Sequence, residues 1–196
     1  GRKFAFTILR HPYERIMSLY YFWRRHRDAV IQANNLAGPR LARQVNVKEF
    51  LSTDLPIPRN YIKNEMTRVL AGDVFTEKDD TYFELKDGKR IPIEKFEIIR
   101  RATATLNQLD FVFFVETLDR DFPVLCKMLG MDPVPKFPRK NTRDEVRPDL
   151  ETVREEALDD DHIRLLKRNT DLDRIIYSLA RVRRADVLRR QSQGPG

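Results

Sequence analysis

The run Phe111-Val112-Phe113-Phe114-Val115 constrains the fold more than any other stretch of this chain. Five consecutive apolar residues leave no face for water. As an extended strand the run must be covered on both sides, as a central strand is when helices pack above and below it. A second apolar run, Phe4 to Leu9, is ended by Arg10-His11-Pro12 and reads as another buried strand, followed by a helix with proline in its first turn. Alternation of buried strands and helices predicts a three-layer α/β domain with a mainly parallel sheet. Only two strong strands are visible, so the sheet is expected to be incomplete.

The helix after Pro12 carries Ile16, Tyr20 and Trp23 at helical spacing and ends in Arg24, Arg25, His26 and Arg27. From Gly38 to about Glu77 the prolines at 39, 56 and 58 and Gly72 predict irregular, surface-lining structure, with short helices at 47–51 and 64–70. Asp87-Gly88 lies between two alternating stretches in Tyr82 to Ile93 and predicts a small hairpin. Pro92 is expected to open a helix with Phe96, Ile99, Ala102, Leu106 and Leu109 on one face. A helix from about Leu118 to Leu129 should stop at Gly130. Residues 132–148 hold four prolines and five basic residues and read as a cationic loop. The remainder is predicted helical, with Leu172, Ile175, Ile176, Leu179 and Val182 on one side.

With 41% apolar residues, 196 residues suffice for one domain with a core of its own. A net charge of +7 favours anionic partners without choosing among nucleotide, sulfated glycan, nucleic acid and membrane surface. Most aromatics fall on apolar faces rather than forming stacking platforms, which disfavours nucleic acid. The single cysteine, Cys126, excludes an internal disulfide and sits in an apolar pattern, as a small core residue would. No run approaches the roughly 20 apolar residues of a membrane span, so the chain as given reads as soluble. Opening on Gly1 and running almost at once into a strand, it reads as cut from a longer protein. Its compartment would be the cytoplasm in a bacterium, or the Golgi lumen if an upstream anchor was removed.

The segment Phe6 to Phe22 places Arg10 at a strand end, Pro12 two residues on, and Arg15, Ser18 and Tyr20-Tyr21 in the following helix. A guanidinium beside a helix N-terminus can grip phosphate oxygens, and a hydroxyl under two turns into that helix can add a neutral donor. Arg10 could equally pair with a carboxylate and Ser18 be a tolerated helix residue. Together the spacing resembles the 3′-phosphate-binding segment of sulfotransferases that use 3′-phosphoadenosine-5′-phosphosulfate (PAPS), in particular the heparan and uronyl 2-O-sulfotransferases. Three more stretches match that family in order. Asn64-x-x-Thr67-Arg68-x-Leu70-x-Gly72 resembles a segment near the acceptor cleft, where these side chains contact a glycan or brace the loop. Phe111 to Asp119 resembles a late scaffold strand, its Glu and helix. Arg139-Lys140-Asn141-Thr142-Arg143 resembles the loop that closes over the nucleotide, although a solvated basic turn has the same composition.

The resemblance implies a P-loop-type fold, truncated at its N-terminus and helical toward its C-terminus, with residues 1–190 as one partial sulfotransferase domain and 191–196 as a flexible tail. It implies PAPS as co-substrate, adenosine 3′,5′-bisphosphate as product, no metal, and an anionic or hydroxylated glycan as acceptor. Arg10, Ser18 and 139–143 would bind the nucleotide; Asn64, Thr67 and Arg68 would face the acceptor. The family's Lys-bearing phosphosulfate loop has no counterpart here, because Gly1-Arg2-Lys3 is too short to supply it, and the family's base lies in the same part. No catalytic residue is therefore assigned. His11, His26 and His162 read as turn, helix-end and surface residues. Two other functions fit the residues: a catalytically inactive module binding sulfated glycan or nucleotide, and a P-loop kinase or nucleotidase relative.

Overall fold

A computed structural model describes residues 3–132 and 150–192. The chain runs β1 (Phe6–Leu9), α1 (Pro12–Arg24), α2 (Asp28–Ala33), α3 (Ala37–Gln44), α4 (Val47–Leu51), α5 (Pro56–Ile62), α6 (Glu65–Leu70), β2 (Val74–Thr76), β3 (Tyr82–Lys86), β4 (Lys89–Pro92), α7 (Lys95–Gln108), β5 (Phe111–Phe114), α8 (Leu118–Met128), α9 (Asp160–Asn169) and α10 (Asp171–Ser192). The fold is mixed α/β with a parallel sheet and many helices, the fold type expected from the sequence. The loop residues 139–143 and the end of the expected tail, 193–196, lie outside the described residues.

β1 and β5 pair in parallel, with Phe6 opposite Phe111 and Leu9 opposite Phe114. The double-sided burial expected of β5 is present. Val112 and Phe114 pack with Ile98, Ala102 and Leu106 of α7 and Leu172, Ile176 and Ala180 of α10, while Phe111 and Phe113 pack with Leu125 of α8. Among the described residues β1 has no strand on its other edge, and Phe6 and Ile8 are 43% and 42% exposed. A second core lies between α1, α3, α4, α5 and α9, around Ile16, Tyr20, Trp23, Phe50, Ile62 and Leu166. Cys126 is buried, as expected.

The segment expected to be irregular is instead mostly helical and contributes Ala42, Val47, Phe50, Leu51 and Ile62 to that core. Its prolines do not interrupt helices. Pro39, Pro56 and Pro58 fall in the first turns of α3 and α5, where an amide has no intrahelical partner to lose. The expected helix 47–51 is present and held by a capping box, Asn46 Oδ1 accepting from the Glu49 amide at 3.0 Å and Glu49 accepting from the Asn46 amide at 3.1 Å.

Gly38 gives this core its close approach. A Cβ there would stand 2.5 Å from the Trp23 ring, which is itself wedged edge-on against Phe50 and Tyr61. Gly38→Ala should therefore destabilise by about 2 kcal/mol through overpacking, a fall in melting temperature of roughly 4–8 °C for a chain of this size. Thermal unfolding followed by circular dichroism checks it.

The hairpin is present as β3 and β4, with Asp87 at φ +50° and Gly88 at φ +74°, the paired left-handed conformations of a two-residue turn. β2 adds to β3 antiparallel, making a separate three-stranded sheet. Pro92 ends β4 rather than opening α7, because an edge strand tolerates its missing donor and the ladder continues through the Ile93 amide to Tyr82 O at 2.9 Å. The buried faces of the two long helices also differ from expectation. α7 buries Ile98, Ala102 and Leu106 and leaves Phe96 76% exposed, and α10 buries Leu172, Ile176 and Ala180 while Ile175, Leu179 and Val182 face outward. α8 ends where expected, at Gly130 with φ +68°. No described helix is long and apolar enough to cross a membrane.

Candidate functional site

In parallel α/β sheets ligands gather beyond the carboxyl ends of the strands, where chains leave for helices on opposite faces. Here that edge is formed by Arg10 and His11 after β1 and by Val115-Glu116-Thr117 after β5. Arg10 has 36% of its side chain exposed, and its Nε lies 3.8 Å from a carboxylate oxygen of Glu14. That Nε is itself buried without a hydrogen-bond partner among the described residues. Glu14 and Ser18 are four residues apart on α1 and share a face, where Ser18 is half-buried, while Arg10 precedes the helix at the end of β1. The guanidinium is thus tethered only loosely, to an exposed carboxylate that an incoming anion can displace.

Arg15, the other cation of the motif, has a different position. Its guanidinium meets Glu65, donates to Tyr61 O at 2.9 Å, and lies 3.8 Å from Asp173 Oδ2. It ties α1 to α5, α6 and α10. Tyr20 and Tyr21 are core residues, Tyr20 donating to Val45 O at 2.9 Å. The spacing that singles out Arg10 therefore also contains the scaffold that fixes it.

Asn64, Thr67 and Arg68, expected near the acceptor, are buried and bonded within the protein. Asn64 sits at φ +48°, donates to Tyr82 Oη at 2.8 Å and Asp171 Oδ1 at 2.6 Å, and accepts from the Leu172 and Asp173 amides at 3.0 and 3.2 Å. It thereby caps the first turn of α10 from α6. Thr67 donates to Asp173 Oδ1 at 2.7 Å, and Arg68 reaches Lys63 O at 2.8 Å and the carbonyls of Val74 and Asn60. This is the bracing arrangement of the two the sequence allows. Burial raises the carboxyls of Asp173 and Glu65 above the usual carboxylate range, against the lowering effect of Arg15, and pulls Arg68 down.

The Asp173 shift has a pH consequence. With its folded pKa above the unfolded value near 4, the folded state holds this proton more tightly, so stability from this group falls as pH rises from about 4 through the folded pKa. Asp173→Asn can still accept from Thr67 without carrying the charge. Its stability relative to the parent should rise between pH 4 and pH 7 in denaturant titrations; a difference constant over that range would contradict the burial argument.

Three features, two of them at the site, were not legible in sequence. Glu116, read as scaffold, accepts through Oε1 from the His11 amide at the start of α1 and through Oε2 from Tyr177 Oη of α10 at 3.3 Å. Burial and the Glu116 charge push the Tyr177 phenol up to about 12, so it remains a donor at neutral pH. Between α1 and α10 opens a cleft of about 230 Å³, with His11, Pro12 and Tyr13 on one wall and Arg174, Tyr177 and Arg181 on the other. The only sequence signal for that second wall is Arg, Tyr and Arg at positions 174, 177 and 181 of one helix. His162, expected at the surface, is buried as the third residue of the capping box that begins α9.

The sequence matches the sulfotransferase family over residues 2–178. The chain belongs to that family. No curated protein and no solved structure matches it significantly. Within the sulfotransferase match lie β1, Arg10, Ser18, the buried network of Asn64 to Arg68, Glu116 and the first turns of α10; Arg181 lies just beyond it. Membership in this family assigns the chain to sulfuryl transfer in general. Among the described residues no group of three or more His, Cys, Asp or Glu side chains could hold a metal ion.

Proposed function

We propose that this chain supplies the 3′-phosphate side of a PAPS site in a sulfotransferase acting on a hydroxyl of a glycan or similar acceptor. The observation that carries this reading is Arg10: a cation at the end of a parallel strand, just before the N-terminus of α1, whose Nε has no hydrogen-bond partner among the described residues and only the exposed Glu14 carboxylate 3.8 Å away. A phosphate there would meet the guanidinium and the free first-turn amides of α1, with the Ser18 hydroxyl proposed as a further donor from the same helix. Residues 139–143, outside the described residues, are the proposed lid. In the reaction the acceptor hydroxyl oxygen attacks sulfur in line. A base takes its proton, and the bond from sulfur to the bridging phosphate oxygen breaks, releasing adenosine 3′,5′-bisphosphate. The part of this chain is to orient the nucleotide and to stabilise its charge.

Incubation with sulfur-35-labelled PAPS and a desulfated polysaccharide tests it. Label should enter the polysaccharide, and Arg10→Ala should reduce the rate at least tenfold. A second reading is an anion-binding module without transfer, which the net charge of +7 and the partly exposed Arg10 would serve equally. Retained nucleotide binding with no label transfer would decide for it.

A further inference from the structure

Arg174 and Arg181 stand seven residues apart on α10, about 10 Å along its axis, with Tyr177 and Ser178 between them, and all four line the cleft against the start of α1. Neither arginine meets a carboxylate among the described residues, whereas Arg15, Arg43, Arg59, Arg101 and Arg184 each do. The nearby carboxylate of Glu116 is covered by two donors, the His11 amide and the Tyr177 hydroxyl, so its charge is partly met within the protein. The floor of the cleft is aromatic: the His11 ring meets Tyr13 edge-on at 5.2 Å and Tyr177 at 5.6 Å. Two guanidinium groups that meet no carboxylate among the described residues, at the ends of an aromatic concavity, suit a ligand with a ring-shaped body and an ester oxyanion.

We propose that this cleft is an oxyanion-binding subsite separate from Arg10 and Ser18, in which Arg174 and Arg181 grip the sulfate or phosphate ester of a ligand whose ring lies over His11, Tyr13 and Tyr177. Neither Arg10 nor Ser18 lines it. The subsite stands on its own geometry and does not depend on transfer chemistry. Its oxyanion has two possible sources, a sulfate ester on a saccharide or a phosphate of the nucleotide, and the same chemistry recognises either.

The test is calorimetric titration of the full chain, its Arg174→Ala/Arg181→Ala variant and its Arg10→Ala variant with a sulfated disaccharide and with adenosine 3′,5′-bisphosphate. Both α10 arginines are exposed, so the double variant should keep its melting temperature, and Arg174→Glu/Arg181→Glu provides a second variant with the charge reversed. At least tenfold weaker binding of the disaccharide, with the bisphosphate unchanged, assigns the subsite to a sulfate ester; the opposite pattern assigns it to the nucleotide. Affinities within twofold of the parent for both ligands in both α10 variants would overturn the proposal. So would a loss of disaccharide binding in Arg10→Ala equal to that in the α10 variant, because the two sites would then be one.

Discussion

Arg10→Ala should weaken binding of adenosine 3′,5′-bisphosphate by about 10- to 100-fold, the effect of losing one charge-assisted, two-pronged phosphate contact of roughly 1.5–3 kcal/mol. The variant should fold normally. Arg10 is partly exposed, and its described ion-pair partner is Glu14, 3.8 Å away and itself exposed. Exposed pairs of that kind contribute less than about 1 kcal/mol, so the melting temperature should barely move. Arg10→Lys should recover only part of the affinity, because an ammonium offers a point charge where the guanidinium offers a planar fork. Calorimetry on the three proteins, with thermal unfolding alongside, separates a lost ligand contact from a damaged fold. Equal affinities in all three would remove Arg10 from the site.

The largest effect on stability is expected at Asn64. Its side chain makes four hydrogen bonds, two of them to the first amides of α10, inside a buried network. Alanine would leave those amides and the Tyr82 hydroxyl without partners, at about 1–3 kcal/mol for each buried group left unsatisfied. It would also hold a β-carbon at φ +48°, a left-handed conformation that costs roughly 1 kcal/mol more. A total near 4 kcal/mol corresponds to a fall in melting temperature of about 8–16 °C. Asn64→Gly should be milder than Asn64→Ala, since it loses the same bonds without the backbone strain. The order parent, glycine, alanine in thermal stability checks both parts of the argument; a reversal of the two variants would dispose of the strain component.

These two residues also mark how far the sequence could be read. β5 was legible because a strand buried on both faces must be apolar on both, and the β1–α1 unit because Arg10, Pro12 and Ser18 keep a spacing that depends only on local geometry; the burial expected of β1 is only partial, since Phe6 and Ile8 are exposed on one face. Asn64, Thr67 and Arg68 were legible as a polar group, but not in their role. Asp171 and Asp173, the partners of Asn64 and Thr67, lie more than 100 residues downstream, and only the fold brings them together. Glu116 was hidden for the same reason, standing 105 residues from the amide it accepts from. The outward faces of α7 and α10 were misread because apolar residues at helical spacing describe two possible stripes, and packing on β5 selects the one through Ala102 and Ala180. In the segment from 38 to 77, prolines taken as breakers were helix starters, a distinction that depends on where each helix begins.

Recognition of a 3′-phosphate by this chain is tested most directly by one titration. The parent protein is titrated with adenosine 3′,5′-bisphosphate, adenosine 5′-monophosphate and ATP under identical salt. A site built on Arg10 and Ser18 predicts that the bisphosphate binds at least tenfold more tightly than the monophosphate, which lacks only the 3′ group, and more tightly than ATP despite carrying less charge. Equal binding of bisphosphate and monophosphate, or a preference for ATP, would contradict it.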